Sequence, residues 1–339
     1  MLNQINYSKY KGLRCIILES SKLRATILFE NGCNLISLFN VKTGSEYLYS
    51  FTSKQAFHEK PYIYGNPLLF PPNRLKEGRL KTSEHCLHLP QNDPKNGRNH
   101  IHGILYDTKW EPVSHVRTSD KEILGMQYIH HEGVDTFHFF PFHFQVDILF
   151  SITVDTFDIE ITIKNKGLSP IPLGFGYHTA FSIPFKNENY TEDTEYQISV
   201  PVTRKLELDD NGFMSGKSES INTKNTDENF LFNPFLHEFN GNLFHNDNLK
   251  VKTQENTVGI LSIKNNEKLF YTVDAQFSYW VLWNKNNPLN SFLCIEPQTW
   301  AINAPNENNP VSYGYYELPF YKKWTAISQF SVEDHFFET

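Results

Sequence analysis

Apolar and polar side chains alternate with period two through nearly every patterned stretch of the chain, and Gly, Asn, Asp and Pro recur between those stretches at short intervals. That rhythm predicts strands rather than helices. Residues 24–29 read as one strand, Asn31-Gly32 as a hairpin-type turn, Asn34–Asn40 as the next strand, and Thr43-Gly44 as another turn. The cleanest alternation covers 145–154 and Thr156–Asn165. Val146, Ile148 and Phe150 share one face of the first, and Phe157, Ile159, Ile161 and Ile163 one face of the second. Further strands are expected at 250–253, 258–263, 269–273, Tyr279–Trp283, 292–295 and 325–332, and no segment offers an amphipathic helix of three turns. Two polar stretches, 84–99 and 211–229, read as loops. Strand-like sequence resumes on each side of both, so the expected architecture is all-β, a large antiparallel β-sandwich formed as one domain over 1–339.

Composition agrees with a packed protein. Of 339 residues, 28 are Phe, 17 Tyr and 5 Trp, and hydrophobic residues make up 39% against 20% charged, which excludes a largely disordered chain. With 31 Lys plus Arg against 38 Asp plus Glu, the net charge of −7 speaks against a surface built for nucleic acid or anionic lipid. Cys15, Cys33, Cys86 and Cys294 form no Cys-x-x-Cys pattern, so reduced thiols are expected rather than disulfides or a zinc knuckle. The N-terminus carries no signal-peptide pattern and no apolar run approaches the ~20 residues of a membrane span, so a cytoplasmic protein, monomer or homodimer, is expected.

Four places carry candidate chemistry. Glu296 leaves an apolar run in Phe292-Leu293-Cys294-Ile295-Glu296-Pro297-Gln298. Pro297 cannot donate to a ladder, which predicts the strand's end there and a carboxylate at the rim. His178 follows Gly174-Phe175-Gly176-Tyr177, where glycines let a ligand or a second backbone approach; it is either an acid–base group or a satisfied core histidine. Asn73-Arg74 follows Pro71-Pro72 and presents an amide and a guanidinium that could fork onto ligand oxygens, or cap a turn and pair with Glu77. In His100-Ile101-His102-Gly103 two imidazoles on one strand face invite a metal reading, with His85, His88, His130, His131, His138 and His143 as further donors. The positions where such a site wants a Glu hold Tyr106 and Asp107, so no metal is expected. No phosphate-binding glycine loop and no Gly-x-Ser-x-Gly elbow occurs.

In their order along an all-β chain of this length, these pieces resemble the aldose 1-epimerase family, the galactose mutarotase-like proteins. The matching segments are Asn73-Arg74, His102-Gly103 with Trp110 following, His178 with Phe181, the loop 208–216, Leu243-Phe244-His245-Asn246-Asp247, and Glu296-Pro297-Gln298. The resemblance implies a β-supersandwich that binds a free sugar, with Glu296 as general base and His178 as general acid. It also implies Asn73, Arg74, His102 and Asp247 around the sugar hydroxyls, Trp283 and Phe181 on the apolar side, and no cofactor. Tyr177 before the histidine, Thr179-Ala180-Phe181 after it, and 299–304 after Gln298 depart from the galactose-specific members and look closer to a divergent bacterial branch. Asp209 and Asp210 are acidic alternatives to Asp247. Two other readings share the scaffold: a hexose-6-phosphate 1-epimerase, drawing on Arg74, Lys76, Arg79, Lys81 and Arg98, and a non-catalytic sugar-binding or sensing protein.

Overall fold

A computed structural model describes residues 5–93, 97–185, 195–221, 229–250, 256–289 and 291–334. Antiparallel strands dominate it. A nine-stranded sheet runs in the order Glu111–Arg117, Glu122–His130, Phe144–Ile152, Thr156–Asn165, Lys323–Asp334, Glu267–Val273, Thr257–Ser262, Tyr196–Val200, Phe230–Phe232. An eight-stranded sheet runs Met214–Ser220, Arg204–Leu208, Asn240–His245, Tyr279–Trp283, Phe292–Gln298, Gly176–Tyr177, Leu68–Leu69, with Ala180–Ser182 also paired to Phe292–Gln298. The N-terminal meander, Tyr7–Tyr10 to Ser45–Glu46, is a five-stranded sheet of its own.

The two larger sheets meet over one apolar core, and period-two alternation decides which residues enter it. Thr156–Asn165 is buried at every second position. In the eight-stranded sheet, Trp280, Leu282, Leu293 and Ile295 join that core. Their alternates Tyr279, Val281, Phe292 and Cys294 pack on the opposite face in smaller clusters. Across the core Phe181 meets Tyr271 and Phe330 at ring-centroid distances of 5.8 and 6.3 Å, and Tyr177 lies 5.8 Å from Phe277.

The alternating segments fold as strands within a residue or two of their expected bounds, and Asn34–Asn40, Thr156–Asn165 and Tyr279–Trp283 coincide with them. Three expectations need correction. The strand expected to stop at Glu296 runs on to Gln298. Ile295 N donates to Thr179 O at 2.9 Å and Thr299 N to Phe175 O at 2.8 Å, so Pro297 falls between two bonds that hold and its missing donor breaks no more than one rung. The supposed loops 84–99 and 211–229 contain the strands Cys86–His88 and Met214–Ser220. Met214–Ser220 is the outermost strand of its sheet and almost wholly exposed, so no apolar face marks it in the sequence. Lastly, Lys250 ends a short 3₁₀ turn, Asp247–Lys250, and the remainder of the strand expected at 250–253 lies outside the described residues. Among those residues the one α-helix is Lys54–Glu59, and no helix is long and apolar enough to cross a membrane.

Candidate active site

One register builds the centre of the site. Gly176 pairs with Gln298, and Ala180 with Cys294, on the same antiparallel ladder. Carried through, that register sets His178 opposite Glu296, where facing side chains on one side of a sheet are near neighbours. His178 Nε2 and Glu296 Oε1 are 3.3 Å apart. On its other flank Glu296 is paired with Val281, and Cys294 with Trp283. Glu296 is 2% exposed and His178 3%, so both sit at the bottom of the face rather than at its rim.

Above them lies a cavity of about 320 Å³ lined by His178, Glu296, Asn73, Arg74, Asp93, His102, Tyr62, Trp283, Lys60 and Lys285, among others. Its aromatic walls are close together. The His102 and His178 rings are 4.9 Å apart and edge-on, Tyr62 is 5.0 Å from His102, and Trp283 is 5.8 Å from His178. Rings of this kind beside a few fixed polar groups are what a small polar ligand with apolar faces requires.

The Asn73-Arg74 turn is held from several sides. Asn73 and His102 both adopt left-handed backbone, φ 56° and 67°, and His102 N donates to Asn73 O at 3.0 Å. Gly103 follows at φ 73°, and a Cβ there would stand 2.1 Å from Phe70 O, so glycine is required at this approach. Asn73 Nδ2 donates to Gln298 Oε1 at 3.4 Å, and Gln298 Nε2 donates to Glu296 Oε2 at 3.3 Å. Asn73 thus reaches the carboxylate through an amide relay. Arg74 does not pair with Glu77; its Nε donates to Asp93 Oδ2 at 3.1 Å, which also accepts from Asn99 Nδ2 at 3.1 Å.

Burial sets the electrostatics. It pushes the Glu296 carboxyl up to about 8, against the opposing pull of Arg74 and the Gln298 hydrogen bond. The same desolvation, helped by the Arg74 charge, takes His178 down to about 4. His102 is driven well below the usual imidazole range by burial, then by His178, Arg74 and His100. Between about pH 4 and 8 the His178–Glu296 pair therefore holds one proton. The Nδ1 atoms of His102 and His178 are buried without a hydrogen-bond partner.

Of the residues singled out in the sequence, Glu296, His178, Asn73, Arg74, His102 and Trp283 come together here, whereas Asp247, Asp209 and Phe181 do not. Asp247 accepts from Thr203 Oγ1 at 2.9 Å and from Arg204 Nε at 3.1 Å, and does not line the cavity. Asp209 likewise turns inward on its own loop, accepting from Asn211 N and Phe213 N. Phe181 points into the core between the sheets, because it falls on the opposite face from Ala180 and Cys294. His100 and His102 share no face, since the left-handed residue His102 leaves the strand; His100 Nδ1 contacts Pro90 O at 2.8 Å. The cavity's additional carboxylate is Asp93, from the stretch read as a loop, and its lysines are Lys60 and Lys285. No periodicity marks these three, and only the return of distant loops to one face brings them in.

The model of the family described as aldose 1-epimerase matches residues 14–316. YphB of Escherichia coli K12 is 29% identical over 85 residues, 25% of this chain, which spans about a quarter (26%) of that curated relative. Among solved structures, a galactose mutarotase-like protein from Clostridium acetobutylicum superposes with a TM-score of 0.87 at 23% identity, covering 98% of this chain and 99% of that one. A GalM/aldose epimerase homologue from C. elegans gives 0.74 at 18% identity, covering 94% and 98%. Galactose 1-epimerase from Lactobacillus acidophilus gives 0.72 at 16%, covering 98% and 99%. At these identities the structural likenesses speak for the fold, a galactose mutarotase-like sandwich.

Proposed function

Because the chain belongs to the aldose 1-epimerase family, we propose that it interconverts the α and β anomers of a free hexose, with Glu296 and His178 as the proton-transfer pair. The observation that carries this reading is the 3.3 Å separation of His178 Nε2 and Glu296 Oε1 at the base of the cavity. The anomeric hydroxyl and the ring oxygen share one carbon, so the groups that exchange protons with them must themselves be neighbours. In ring opening Glu296 takes the hydroxyl proton while His178 protonates the ring oxygen. The aldehyde rotates about its bond to C2, and closure returns both protons with the roles reversed, leaving the pair as it began. Sugar hydroxyls against Glu296 favour its charged form and shift the resting proton to His178. Arg74, Asp93 and His102 hold the remaining hydroxyls, Asn73 steadies Glu296 through Gln298, and Trp283 and Tyr62 flank the ring faces.

Lys60 and Lys285 favour a second reading, a phosphorylated hexose as substrate. Of the cationic cluster expected from the sequence, Arg74 alone lines the cavity, so a phosphate would rest on these lysines instead. Polarimetry of freshly dissolved α-glucose, α-galactose and α-glucose 6-phosphate tests both. The expected result is equilibration of a free hexose well above the buffer rate; a preference for the phosphate ester selects the second reading, and no acceleration of any of them overturns both. Glu296→Gln and His178→Asn are each expected to lower the rate by ~10²- to 10⁴-fold while sugar binding stays measurable by calorimetry.

A further inference from the structure

Close to the proton-transfer pair lies a buried thiol that the proposed reaction does not use. Cys294 is on the same strand face as Glu296, fully buried, packed with Ala180, Phe292, Tyr49 and Trp283. It is not among the residues lining the cavity. One donor atom each of His178, Cys294 and Glu296 lies within 4.8 Å of the other two, the one such group of three among the described residues. Metal–ligand bonds of about 2.0–2.3 Å bring the donors of a tetrahedral zinc ion to roughly 3.3–3.8 Å from one another. The 3.3 Å between His178 and Glu296 already meets that spacing, so the thiol needs only a small side-chain adjustment.

We propose that His178, Cys294 and Glu296 form an inhibitory site for a thiophilic divalent cation, Zn²⁺ above all, reached through the sugar cavity. A thiolate, an imidazole and a carboxylate are together a zinc donor set, whereas Mg²⁺ and Ca²⁺ prefer oxygen ligands and leave a thiol unused. Thiolate and carboxylate between them cancel the ion's two charges, which a site this buried requires. Binding displaces the thiol proton and the proton of the His178–Glu296 pair to solvent, forms three metal–ligand bonds, and leaves a fourth position toward the cavity for water or a sugar hydroxyl. The ion occupies both groups that move protons, so it blocks mutarotation instead of assisting it. Only this inhibition rests on the function proposed above; the binding does not.

Co²⁺ and Zn²⁺ serve as probes of the full chain in a C86S background, since Cys86 is the exposed thiol. Co²⁺ is expected to give a thiolate-to-metal charge-transfer band and intense tetrahedral d–d bands in this protein, both lost in Cys294→Ala and Cys294→Ser. Zn²⁺ affinity by calorimetry falls by about 100-fold or more in the same two variants, at least what disturbing an outer-shell partner alone costs. Zn²⁺ abolishes mutarotation reversibly by chelator, while both variants keep metal-free activity and resist the ion. Absence of the charge-transfer band together with equal Zn²⁺ affinity in all forms overturns the site. Tight Cys294-dependent binding with undiminished mutarotation overturns the inhibition. Cys294-dependent binding in a protein that shows no mutarotase activity at all leaves the metal site standing and removes the function.

Discussion

Glu296 and His178 share a single proton between about pH 4 and 8, and the proposed reaction needs that count. Below the range both are protonated and neither accepts; above it both are deprotonated and neither donates. The kcat/KM profile, corrected for the buffer-catalysed rate, is thus expected to be bell-shaped, falling on the acid side near 4 and on the alkaline side near 8, with apparent values that belong to the pair. A profile flat across pH 8 would remove Glu296 from the proton transfer. Asp93 is the neighbouring test. Its side chain is fully buried and its one bond to Arg74 fixes where the guanidinium points. Asp93→Asn keeps the shape and loses the charge, so KM is expected to rise about tenfold, ~1.4 kcal/mol of binding, with a smaller change in kcat; unchanged kinetics with lowered stability would make Asp93 structural only. Glu296 was legible in the sequence because it leaves an apolar run, and His178 because glycines before it allow a close approach. Asp93 sits in an unpatterned polar stretch, where a functional carboxylate and a solvated one look alike. Asp247 shows the converse: an acidic residue in the right order along the chain that Arg204 holds outside the cavity.

At the scale of the element, the position of His178 depends on the strand that precedes it lying flat against its neighbours. Gly174 makes this possible, because a Cβ at that position would stand 2.2 Å from the buried Trp300 indole. Gly174→Ala is expected to destabilise the protein by ~1–3 kcal/mol, the usual cost of overpacking a closed core, measured as a lower urea midpoint at constant m-value. Mutarotation should fall along with it, since the displaced strand carries the register that sets His178 opposite Glu296. A variant as stable as the parent would mean that Trp300 has room to move. Strands with one buried face, such as Thr156–Asn165, were legible because burial forces alternation. The extension through Pro297 was not, since proline is forbidden only where its missing donor is needed, and that depends on which neighbour the residue faces. The exposed edge strand Met214–Ser220 escaped for the opposite reason, having no buried face to impose a pattern.

For the whole molecule, the question left by 339 residues is whether the N-terminal five-stranded sheet unfolds with the rest. Glu267, at the start of an inner strand of the nine-stranded sheet and 2% exposed, accepts hydrogen bonds from Thr43 Oγ1 at 2.7 Å, Ser45 Oγ at 2.7 Å and Tyr47 OH at 2.6 Å. Glu122 of the same sheet accepts from Glu19 N at 3.0 Å, a second tie to the meander. We propose from these ties that the chain is one cooperative unit. The five tryptophans, at 110, 280, 283, 300 and 324, all lie outside the meander in sequence, but Trp110 N donates to Phe29 O and Trp283 packs against the meander's own apolar cluster. A W110F/W283F background is therefore used, whose fluorescence comes from Trp280, Trp300 and Trp324 while far-UV circular dichroism reports every strand. The two signals are expected to follow one urea transition. Glu267→Ala leaves three hydroxyls without their acceptor, at ~1–3 kcal/mol for each one left unsatisfied, and should lower both midpoints together by an amount equivalent to ~3 kcal/mol or more. If the dichroism alone shifts and the fluorescence stays, the meander is a separate unit and the carboxylate is a local cap on it.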